Sequence, residues 1–66
     1  MKISKWEFEK ELDSLITAAQ STSCKETAKR YLMQADNKID GYDNIPDDLK
    51  KTYRKKIYDA ENDLDI

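Results

Sequence analysis

Sixty-six residues with one cysteine and no histidine exclude a disulfide staple within the chain and argue against a structural zinc site, which one thiol cannot hold. Stability must then come from helix packing, with oligomerisation as a further support. Twelve basic against fourteen acidic residues give a net charge of −2, which argues against a general nucleic-acid coating protein.

The hydrophobic fraction of 38% and charged fraction of 39% are patterned too regularly for a disordered tail. No stretch approaches the roughly 20 apolar residues of a membrane span, so no membrane association is expected. Met1-Lys2-Ile3 is basic, but the heavily charged run from Trp6 to Asp13 leaves no signal-peptide core behind it. The lone cysteine suits a reducing compartment, and the expected location is cytoplasmic.

The first helix has a marked start. Ser4 is the N-cap candidate, Glu7 stands three residues on to close a capping box, and Ile3 and Phe8 hold the positions of a hydrophobic staple. Phe8, Leu12, Leu15, Ile16 and Ala19 then recur at helical spacing. Gln20-Ser21-Thr22-Ser23 breaks the pattern with residues that favour turns and caps.

Ser23 and Glu26 repeat the capping-box spacing, which predicts a second helix beginning at Cys24 with the apolar face Cys24, Ala28, Tyr31/Leu32, Ala35 and Ile39. Its two alanines permit close approach of a neighbour, and Glu26 and Arg30 have i,i+4 spacing. Gly41 is the expected C′ residue, in a left-handed conformation. Pro46 fits the first turn of a third helix. Asp47 and Asp48 suit the positive end of its dipole. Leu49, Tyr53, Ile57, Ala60 and Leu64 supply its stripe, and the last few residues are expected to fray.

Each helix has a polar side and needs the others to bury its apolar face. The sequence therefore predicts an all-α, compact three-helix bundle with short connections. It forms one domain over residues 1–66, with helices at about 4–20, 24–40 and 46–62. Leu12, Leu15, Leu32, Ile39, Leu49, Tyr53 and Ile57 are the expected central core.

One run imitates a metal site. Asp36 to Asp47 resembles an EF-hand calcium loop in Asp36, Asp40, Gly41 and the acidic Asp47 at its first, fifth, sixth and twelfth positions. Lys38, however, puts a cation where an oxygen ligand belongs, and Asp47 is shorter than the bidentate Glu of such loops. Ile39 is also needed in a continuing helix. No metal, no cofactor and no catalytic residue is assigned. The carboxylates fall on solvent faces or near helix starts, no nucleophile has a recognisable base, and Cys24 reads as a small core residue. The chain is not expected to be an enzyme.

What remains is the surface. Trp6 falls about 160° from Phe8 on a helical wheel, and Tyr58 about 180° from Leu49, so both point away from the core stripes. Tyr42 is expected in the turn after the second helix. Trp and Tyr are favoured anchors of protein interfaces. For Trp6 the alternative is burial at the bundle end, against the turn between the second and third helices. Lys51, Arg54 and Lys55 lie near Tyr58 in a basic run, although Asp47–Lys51 and Lys55–Asp59 have ion-pair spacing and Asp59, Glu61, Asp63 and Asp65 reverse the field. The expected function is a small, non-enzymatic protein–protein interaction module: an adaptor, inhibitor or regulator. Its partner-binding residues are Trp6, Tyr58, Arg54, Lys55 and Lys51, and self-association remains open. The alternative is a nucleic-acid-associated regulator using the basic face of the third helix.

Overall fold

The structure, a computed structural model, describes residues 2–65; Met1 of the basic start lies outside them. Three helices of 17 residues follow one another: α1 (Lys5–Ser21), α2 (Lys25–Gly41) and α3 (Asp47–Asp63). They form an all-α, compact three-helix bundle with short connecting loops. Its extents are 33 × 16 × 15 Å, those of helices about 25 Å long lying side by side. α1 packs most extensively on α2, and α3 lies along both, more on α2 than on α1.

Each helix sits one residue later at both ends than its sequence pattern predicts. The start of α1 follows the predicted capping, for the Glu7 backbone N–H donates to Ser4 Oγ at 3.1 Å, and Ile3 packs against the core. The start of α2 departs from prediction. Cys24, not Ser23, is its N-cap, and it makes no side-chain capping bond. Thr22 holds the turn instead, its Oγ1 accepting from the Cys24 N–H at 3.2 Å. Cys24 thereby leaves the apolar stripe and is exposed, which overturns its placement in the core.

The end of α2 is a second correction. Gly41 is the last helical residue, and among the described residues no glycine has positive φ. The chain leaves instead through Tyr42 in extended conformation (φ −101°, ψ 126°), so no left-handed cap is needed. Pro46 precedes α3 as its N-cap with φ −59°, a value its ring imposes. α3 keeps its helical path to Asp63 and Leu64 packs on the core; Ile66, among the residues expected to fray, lies outside the described residues.

The core is continuous and contains no buried charged residue among those described. Phe8, Leu12, Leu32 and Ile39 are its largest fully enclosed side chains, joined by Tyr53 and Ile57 from α3. Leu15 and Leu49, expected at the centre, are only partly buried; on α1 the neighbouring Ile16 is the buried residue instead of Leu15. Phe8 meets two rings edge-on: Tyr42 at 6.0 Å and Tyr53 at 5.5 Å between centroids. Such T-shaped pairs add about 0.5–1.5 kcal/mol each beyond burial.

The second loop is tied down twice. The Tyr42 hydroxyl donates to Glu11 Oε2 at 2.9 Å. The Asn44 carboxamide pairs with the backbone of Ile3, its Oδ1 accepting from the Ile3 N–H at 3.1 Å and its Nδ2 donating to the Ile3 carbonyl at 2.6 Å. Tyr42 stands in the turn after α2 as expected, and it is buried there.

Candidate functional site

Three large apolar side chains stand exposed among the described residues: Trp6, Met33 and Tyr58. Trp6 is 67% exposed, so it does not fold over the end of the bundle. It begins the outer face of α1, where Lys10, one turn on, places its Nζ 4.9 Å from the ring centroid. An open groove runs from this ring past Lys10 and Asp13 to the small side chains of Thr17 and Ala18.

Tyr58, 64% exposed, belongs to a different surface. It lines a groove between α2 and α3 together with Met33, Arg54, Asp36 and Glu61, floored by Leu32 and Ile57. Met33, 57% exposed, was not singled out by the sequence reading. Its signal is an apolar side chain one step off the stripe Ala28, Leu32, Ala35 and Ile39, where a polar residue would ordinarily stand.

Lys51, Arg54, Lys55 and Tyr58 recur at helical spacing on the exposed face of α3, so four of the five sequence-predicted partner residues share one face. Trp6 lines a separate groove on another helix. Arg54 forms an ion pair with Asp40 near the end of α2, which offsets its charge. Lys51 and Lys55 form no ion pair within 4.0 Å among the described residues, and the same holds for the spaced pairs Asp47–Lys51, Lys55–Asp59 and Glu26–Arg30. The charges that do pair link separate elements: Lys38 with Glu11 at 3.5 Å and Lys56 with Asp13 at 3.9 Å tie α2 and α3 to α1.

Among the described residues three groups have a shifted pKa. The Tyr53 hydroxyl is pushed up to about 12 by burial and by the neighbouring carboxylates of Asp13 and Glu9. The Tyr42 hydroxyl is raised by its hydrogen bond to Glu11, with burial adding to it. Cys24 is lowered by the nearby Thr27 side chain and by the backbone N–H groups of Thr27 and Glu26 that lie near its sulfur at the start of α2, where donors converge on an anion. Among the described residues no three His, Cys, Asp or Glu side chains gather as metal ligands. In the run that imitates a calcium loop, Asp36 to Gly41 is helical.

No family model, curated protein or solved structure matches the chain. Among the described residues no helix is long and apolar enough to cross a membrane.

Proposed function

We propose that the chain is a small, non-enzymatic protein–protein interaction module that receives an apolar side chain of a protein partner in the groove between α2 and α3. The observation that carries this reading is the pairing of Met33 and Tyr58, two exposed apolar side chains from different helices on one groove. Exposed aromatic and methionine side chains offer large contact area, and a tyrosine ring surrenders little rotamer freedom on binding. Lys51 and Lys55, neither in an ion pair among the described residues, give the α3 rim a basic character that suits a partner with carboxylates beside its apolar anchor.

A polyanion fits this face less well. Asp36 and Glu61 line the groove beside Tyr58, and the Arg54 guanidinium is already engaged by Asp40. The test is affinity capture from native cell extract on the unaltered chain and on Met33→Ala and Tyr58→Ala variants, with captured proteins identified by mass spectrometry. The proposal expects a protein retained by the unaltered chain and lost from both variants while their helical circular dichroism is unchanged. Truncation of a true anchor costs about 2 kcal/mol or more, roughly thirtyfold in affinity. Normal binding by both variants, together with a salt-sensitive interaction with duplex or single-stranded DNA abolished by charge reversal at Lys51, Arg54 and Lys55, would instead establish the nucleic-acid reading.

A further inference from the structure

The outer face of α1 carries a ring at one end, small side chains at the other and opposite charges between them. Trp6, Lys10, Asp13 and Thr17 recur at alternating steps of four and three residues, the spacing that keeps side chains on one seam between two helices. All four are exposed and line the same groove, with Glu9 and Ser14 on its flanks. From these placements we infer that the face is a homodimer surface, on which α1 of one copy lies antiparallel to α1 of a second copy about a two-fold axis.

The arrangement is self-complementary in size and in charge. A two-fold axis crossing α1 between Glu11 and Leu12 brings Trp6 of each copy over Thr17 of the other. The same axis brings Lys10 to Asp13 and Glu9 to Ser14, because each of these pairs is equidistant from that midpoint. This is the isologous relation that closed dimers require. Parallel pairing would oppose Lys10 to Lys10 and Asp13 to Asp13, so charge selects the antiparallel register. Thr17 and the adjacent Ala18 leave room for an indole. Trp6 is the largest exposed apolar side chain of the described residues, and covering it removes that surface from water. Asp13 is not idle in the single copy: it faces Lys56 Nζ at 3.9 Å and lies beside the Tyr53 hydroxyl. Its side chain nevertheless stays 58% exposed, which leaves it able to accept a second cation. The groove between α2 and α3 is not used, so this pairing stands apart from the function proposed above.

Sedimentation equilibrium over micromolar to about 1 mM protein tests the proposal, the weak end of specific association. The expected result is a mass rising towards twice the 7.8 kDa of the chain. Trp6→Arg and Thr17→Arg, both at exposed positions, should each weaken association at least about tenfold while helical circular dichroism is kept. Lys10→Asp should weaken it as well, and Lys10→Asp with Asp13→Lys should restore it. A chain that stays monomeric throughout overturns the proposal. So does association that survives both arginine variants, or that Tyr58→Arg alone abolishes. A folded double charge variant as weak as Lys10→Asp overturns the antiparallel register. Should that double variant fail to fold, the two arginine variants decide.

Discussion

Replacing Gly41 by alanine tests the helix end directly, because the two ways of ending α2 predict opposite signs. Gly41 is the last residue of the helix and lacks positive φ. A Cβ built there meets no atom within 4 Å. Alanine in a helix interior is favoured over glycine by about 1 kcal/mol, and part of that is realised in a last turn. Most of that preference is the lost freedom of the unfolded chain, which is worth about 0.4–1 kcal/mol where the native conformation suits the new residue. The expected outcome is stabilisation by about 0.5–1 kcal/mol, a rise of roughly 2–8 °C in Tm for a chain of this size. The left-handed cap suggested by the sequence would instead make alanine cost about 1–2 kcal/mol. Urea unfolding followed by circular dichroism separates the two, provided the slope against denaturant is unchanged. A lower midpoint for Gly41→Ala at constant slope would refute the description of this helix end.

Phe8→Ala should cost about 3–5 kcal/mol, since it empties a fully enclosed site and removes both edge-on ring contacts; denaturant unfolding checks this, and a loss below about 1 kcal/mol would contradict the packing. Asn44→Ala removes both bonds to the Ile3 backbone; at this exposed position about 1 kcal/mol should be lost, with faster amide exchange at Ile3. Tyr53 ionises near 10 in an unfolded chain and near 12 in the fold, so its contribution is intact below pH 10 and is lost as pH rises from 10 through 12. Alkaline titration should show unfolding in that window with a loss of order 2 kcal/mol, held below the full conversion because Asp13 is solvent-exposed. Tyr53→Phe should flatten the profile. Cys24 should react with iodoacetamide in the native chain, its rate rising at a lower pH than for an ordinary thiol because its thiolate is stabilised; protection until unfolding would return it to the core.

The bundle was legible in the sequence because its local signals agree. Ser4 caps α1 where the capping-box spacing places it, Pro46 stands immediately before α3, and the apolar stripes of all three helices are interrupted where the loops fall. The misread positions are those where a loop, rather than a helix period, decides orientation. Ser23 has the right spacing to cap α2, but the turn is held by Thr22 and the helix starts one residue later, carrying Cys24 out of the core. Tyr42 follows no period at all; its burial comes from the Phe8 ring and the Glu11 carboxylate across the bundle. Leu15 and Leu49 obey the helical spacing, yet periodicity alone does not say which member of a broad stripe meets the centre. At the candidate site, wheel geometry placed Trp6 and Tyr58 outward, and both are exposed. It gave no sign that Met33 would join Tyr58, because that groove exists only once α3 is docked on α2.

The edge-on seat of Phe8 between Tyr42 and Tyr53 bears on how the chain folds. One ring arrives with the second loop and the other with α3, so an α1–α2 hairpin formed alone leaves half of that seat empty. The hairpin therefore holds the most extensive helix–helix packing but leaves Phe8 uncovered on one side until the last helix closes over it, and α3 has no comparable surface until the hairpin is made. Mutual dependence of this kind suppresses partly folded species and gives a single all-or-none transition. Probes of ring environment and of helix content should trace the same unfolding curve, with α3 melting together with the hairpin.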